Sequence, residues 1–155
     1  MRLYNVDGNC LNTASTTLPL GNIIGTAAYI AEIIKISIGS DAVASNAARY
    51  RIQRGTTAGT WGGSGGAAIT PIATDPTNTV TALTTANQGV CSVGPTLTAS
   101  SFVWTLPLNQ QATVIDNFTP GMGVKCLNAA NASLNLMSVV AAVAFNTVFG
   151  FVVSE

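Results

Sequence analysis

The chain has 155 residues and a mass of 15.8 kDa; 48% of it is hydrophobic and 8% charged, six basic residues balance six acidic ones, and there is no histidine. Without imidazole there can be no Ser-His-Asp or Cys-His nucleophile system and no His-containing zinc site. A net charge of zero and a pI near 6.1 leave no basic stripe of the kind nucleic-acid binding rests on, so no such partner is expected.

The length fits one domain over residues 1–155. Soluble domains average about 25% charged residues, so a surface this poor in charge is expected to be committed to neighbours. Thr, Asn, Ser and Gly carry the polar fraction, and Thr with Val favours a pleated surface over a helix. Cys10, Cys91 and Cys126 are distant, odd in number and without a C-x-x-C pair, which predicts reduced thiols rather than a disulfide framework or zinc knuckle. Residues 1–12 show no apolar signal core after Arg2, so folding in a cytoplasm is expected.

In chain order, residues 1–28 read as an N-terminal arm whose apolar positions, Leu3, Tyr4 and Val6 and then Leu18-Pro19-Leu20, are expected to touch neighbours. Residues 29–38 (YIAEIIKISI) alternate with period two. That predicts a strand with Ile30, Ile34, Ile36 and Ile38 on one face, ended by Gly39-Ser40-Asp41. Residues 48–54 predict a second strand, with Arg49, Arg51 and Gln53 opposite Tyr50 and Ile52. Residues 55–78 read as a Gly/Pro-rich loop around Trp61, irregular through Thr70-Pro71 and Asp75-Pro76. Shorter strands are expected at 79–83, 101–106, 112–116 and 123–127, separated by turn residues such as Gly94-Pro95 and Pro120-Gly121.

The run 134–153 is the most apolar part. Its second half alternates as a strand does and its first half could be read as a helix over 134–144; the polar Asn135, Ser138, Asn146 and Thr147 argue against a membrane span. The whole predicts an all-β, jelly-roll-like β-sandwich of about eight antiparallel strands.

The chemistry is sparse. Residues 63–68 match G-x-G-x-x-A, but no buried strand precedes them, Pro71 would break a helix after them and no carboxylate stands near position 85, so a surface loop is the better reading. The carboxylates are too scattered for a calcium loop, and Asp7-Gly8-Asn9 reads as a turn. No catalytic residue, metal or cofactor is expected. Half of the positive charge lies in Arg49, Arg51 and Arg54, which read either as a solvated strand face or as a dock for an acidic protein surface. Trp104 reads as strand core and Trp61, on its glycine loop, as an exposed anchor.

The order of several short segments resembles a group of small tailed-bacteriophage virion proteins. These are a strand ending Ile36-Ser37-Ile38-Gly39, then Arg51-Ile52-Gln53-Arg54, Gly59-Thr60, Thr70-Pro71, Asp75-Pro76, Asn109-Gln110-Gln111-Ala112-Thr113, Pro120-Gly121, and an apolar strand ending in an acidic residue. The resemblance covers roughly residues 30–155 and implies a structural role in a virion. The expectation is a non-enzymatic capsid decoration or cement protein, a homotrimer bound across junctions of the major capsid protein. Arg49, Arg51, Arg54 and Lys125 would make polar contacts to the shell, and Trp61, Leu3 and Tyr4 would supply apolar ones. A head-fibre or tail component is the alternative, and a carbohydrate-binding jelly roll a remoter one.

Overall fold

The computed structural model describes residues 1–12, 15, 17–43, 45, 47–62, 66–82, 84–89, 91–109, 111–141 and 145–155. Among them there are twelve strands and no helix: β1 Leu3–Asn12, β2 Gly21–Ile24, β3 Glu32–Ser40, β4 Ala47–Gly55, β5 Gly66–Ile69, β6 Ile72–Ala73, β7 Thr85–Gly89, β8 Leu97–Asn109, β9 Val114–Asn117, β10 Val124–Lys125, β11 Ser133–Ala141 and β12 Phe145–Ser154. They form two antiparallel sheets. Sheet A runs β10-β3-β12-β1-β6, with β9 beside β10 on the same edge of β3; sheet B runs β5-β7-β2-β11-β4-β8.

The sheets share one hydrophobic core. Sheet A contributes Val6, Ile33, Ile36, Ile38, Phe149 and Phe151, and sheet B contributes Ile23, Tyr50, Ile52, Leu134 and Leu136. Polar ties cross between them. The Tyr50 and Thr147 hydroxyls lie 3.0 Å apart, and Trp104 Nε1 donates to Asp116 Oδ2 at 2.8 Å. Such bonds fix the spacing of two layers that apolar contact alone would leave free to slide.

Residues 3–12 are not an arm. They form β1, hydrogen-bonded to β12 along its whole length, because Tyr4, Val6, Gly8 and Cys10 alternate inward while Asn5, Asp7 and Asn9 face out. Tyr4 and Val6 are buried, and so are Pro19 and Leu20. The tract 55–78 likewise contains β5 and β6, and the strand expected at 79–83 lies further on, at β7; Leu83 itself is outside the described residues. Gly63, Ser64 and Gly65 of the glycine run are also outside them, and the residues directly after these three form β5, a strand. The apolar run divides into β11 and β12, so residues 133–141 are strand and not helix; residues 142–144 are not described.

Two bulges alter the predicted faces. Val152 and Val153 of β12 oppose Lys35 and Ile33, so Ile34 is the extra residue, and Ile33 rather than Ile34 shares the inward face with Ile36 and Ile38. In β8 the register steps over Val103, which puts Trp104 opposite the inward Ile52 and Phe102 opposite Gln53 on the outer face.

Candidate functional site

The expected arginine cluster is divided by β4. Arg49 is exposed on the outer face of sheet B, beside a shallow hollow of about 320 Å³ formed with Ala47, Pro107 and Leu108. Arg51 lies on the same face, its guanidinium carbon 4.0 Å from the centroid of the Phe102 ring. The quadrupole of that ring attracts the cation, a contact worth about 0.5–1 kcal/mol at an exposed site, and holds the planar fork in one orientation. Arg51 Nε is buried without a partner among the described residues, whereas Phe102 stays 47% exposed. Arg49, Arg51 and Phe102 thus form one cationic and aromatic surface on β4 and β8.

Arg54 is not part of it. It opposes Leu134 of β11, on the inward side of sheet B, and its Nε donates to the Lys125 carbonyl at 2.9 Å, joining sheet B to β10 of sheet A. Lys125 is engaged locally, its Nζ donating to the Gly121 carbonyl at 2.9 Å. The same turn is held by Glu32, a buried carboxylate that accepts the Gly123 N–H at 2.6 Å, the Gly121 N–H at 3.1 Å and the Ser154 hydroxyl at 3.2 Å. These residues sit at a structural seam.

Trp61 is half-buried, with its indole N–H given to the Ala58 carbonyl at 2.8 Å. Its loop lies over the outer face of sheet B. Asn22 Nδ2 donates to the Ala58 carbonyl at 3.0 Å and Ser133 Oγ to the Thr57 carbonyl at 2.7 Å. Under this cover a row of amides crosses four strands in register: Gln53 of β4, Asn135 of β11, Asn22 of β2 and Asn87 of β7. Leu3 is half-buried in β1. Tyr4 cannot meet a partner at all, since its ring is in the interior and its hydroxyl donates to the Val80 carbonyl at 3.1 Å.

Sequence reasoning missed Phe102, because a strict two-residue period places it with Trp104 and only the bulge at Val103 turns it outward. It also missed the outer face of sheet A. There Asp7 of β1, Gly150 of β12 and Ser37 of β3 stand in one cross-strand row, and Asn5, Val152 and Lys35 in the next. Leu11, Ile72, Ile115 and Val148 on this face are each at least half exposed. Gly39 and Gly150 leave a trough of about 330 Å³ in its middle.

Among the described residues no three Cys, Asp or Glu side chains converge as metal ligands would, and no helix is long and apolar enough to cross a membrane. The three thiols are buried; burial pushes Cys10 and Cys126 up to about 11 and raises Cys91 as well. No family model matches the chain, and no curated protein or solved structure matches it.

Proposed function

We propose that the chain is a bacteriophage capsid decoration protein, a jelly-roll-like β-sandwich that binds the outside of the head across junctions of the major capsid protein and stabilises the shell. The observation that carries the reading is the surface formed by Arg49, Arg51 and Phe102. It presents an oriented guanidinium, a second, exposed arginine and an exposed aromatic ring on a pair of neighbouring strands in a chain otherwise poor in charge. Arginine and aromatic residues are the anchors enriched at protein interfaces, and the planar fork of arginine fits carboxylates. An acidic, partly apolar region of the capsid subunit is the matching surface.

The mechanism is mass action. A protein that binds the assembled shell and not its dissociated subunits stabilises the shell by its binding free energy at every site it fills. The chain's own uncharged Thr, Asn and Ser surface suits a protein that works packed among neighbours rather than free in solution.

The test is to add the purified chain to empty capsids that lack it. The expected result is saturable binding at a copy number comparable to that of the major capsid protein, with disassembly moved to higher temperature. Absence of binding overturns the reading, and a copy number far below that of the capsid protein reassigns the chain to a fibre or tail.

A further inference from the structure

The outer face of sheet A is formed by β9, β3, β12 and β1 with Ile72 of β6 at its margin, and its exposed residues are mostly Asn, Ser, Gly and aliphatic side chains. Two charges in the middle of it stand out, Asp7 and Lys35. Glu32, at the end of β3, is folded into the turn at 121–123, and Asp41, at the opposite rim, is bonded through both oxygens to Asn146. Among the described residues neither Asp7 nor Lys35 has a hydrogen-bond or ion-pair partner.

They also cannot pair directly with each other. Asp7 is on β1 and Lys35 on β3, with β12 between them, and they lie in adjacent cross-strand rows through Gly150 and Val152. The face therefore carries one negative and one positive charge placed diagonally about the centre of β12. That arrangement is self-complementary. A two-fold axis lying in the interface and passing over β12 between Gly150 and Val152 brings each Asp7 toward Lys35 of the second copy, and the length of the lysine side chain covers the remaining offset. The trough at Gly39 and Gly150 gives the facing aliphatic side chains room to enter.

We infer that two copies of this chain associate face to face through sheet A, with reciprocal Asp7–Lys35 pairs flanking Val148, Val152 and Ile115. Strands about 4.8 Å apart rising about 3.3 Å per residue give this face roughly 500 Å² per copy. A pair then buries about 1,000 Å², the size at which specific interfaces begin. Isologous pairing is closed, so each contact is made twice and no open edge remains for further growth. The homotrimer expected from sequence would use heterologous contacts instead. The Arg49–Phe102 surface is on the other sheet, so pairing leaves it free for the capsid.

The test uses sedimentation and light scattering on the purified full chain, with two single variants, Asp7→Lys and Lys35→Asp. Both side chains lie on the outer face of sheet A, so each variant should stay folded, with the far-ultraviolet circular dichroism of the parent. The parent should have twice the mass of the 15.8 kDa chain. Each single variant places like charges opposite each other and should weaken pairing by about tenfold or more. Mixing the two in equal amounts should restore the pair, because a chain with two lysines on this face then meets one with two aspartates. A parent that is monomeric or trimeric overturns the inference, as does a mixture no better paired than its components. Capsid binding is measured separately, so the two readings can fail independently.

Discussion

The ring of Phe149 occupies the space that a β-carbon on Gly21 would need. The ring belongs to β12 of sheet A and the glycine to β2 of sheet B, so the aromatic side chain spans the core and seats itself on the bare backbone of the opposite sheet. Gly8 of β1 gives way on the other side, where a β-carbon would lie 2.6 Å from Phe149 Cζ. The phenyl group is thus held between two glycines, one from each sheet.

Gly21→Ala should therefore destabilise the fold by about 1–3 kcal/mol, the usual cost of forcing an extra carbon into a packed core. Urea unfolding of the single variant, of Phe149→Leu, and of the pair gives a double-mutant cycle. The expected outcome is a pair less destabilised than the sum of the singles, because the smaller side chain vacates the space the methyl enters. Strict additivity would show that the ring does not press on Gly21.

The legible parts of the fold are those where side-chain volume marks the period. Alternation in 48–54 and 145–153 predicts β4 and β12, because large inward side chains such as Tyr50, Ile52, Phe149 and Phe151 stand at every second position. β1 is hidden because its inward positions end in Gly8 and Cys10, where the hydrophobic volume is supplied from another strand by Phe149. β6, of two residues, is too short to show a period, whereas β10 lies within the strand expected at 123–127. The bulges at Ile34 and Val103 reverse the faces on either side of them, and no local residue announces them, so Ile33 lies on the side opposite to that predicted and Phe102 on the side opposite to Trp104. Proximity in sequence makes the three arginines look like one cluster, although Arg54 points into a seam.

The division of the arginines predicts a division of phenotypes. Arg54→Ala removes the donor to the Lys125 carbonyl and should lower stability by about 1–3 kcal/mol. Arg49→Ala, at an exposed position, should leave stability within about 0.5 kcal/mol. In a capsid-binding assay the order reverses: Arg49→Ala and Arg51→Ala should reduce occupancy while remaining folded. Unchanged occupancy in both would remove this surface from the proposed function.

Asn22 is the junction of the covered amide row. It is fully buried, accepts Asn87 Nδ2 at 3.0 Å through Oδ1 and donates to the Ala58 carbonyl at 3.0 Å through Nδ2. Asn22→Ala leaves the half-buried Asn87 amide without its acceptor and removes one of the two donors to the Ala58 carbonyl, which Trp61 Nε1 still meets, and should cost about 1–2 kcal/mol. It should also loosen the loop carrying Trp61, read as faster amide exchange in residues 56–62 and a red shift of tryptophan emission. Loss of stability without either local change would mean that the loop is held by its other bonds, from the Ser133 hydroxyl and the Thr96 N–H to Thr57.

The cysteines give the chain an alkaline limit whose sign can be worked out. Burial raises Cys10, with a smaller contribution from the neighbouring Cys91 thiol, and burial raises Cys126 against weaker opposition from the Gly25 backbone and Arg54; both reach about 11 from an ordinary value of 9.0. Below pH 9 the folded and unfolded chains both hold these protons, so their contribution does not change with pH. Between about 9 and 11 the unfolded chain releases them while the folded chain retains them, and by linkage stability falls as pH rises through that window. The urea midpoint of the parent should therefore drop more steeply from pH 9 to 11 than that of a Cys10→Ala/Cys126→Ala variant, which lacks these thiols. At neutral pH the same protons keep the thiols unreactive, so alkylation by iodoacetamide should wait on unfolding. Parallel midpoint curves for the two proteins would show that these thiols ionise no later in the folded chain than in the unfolded one.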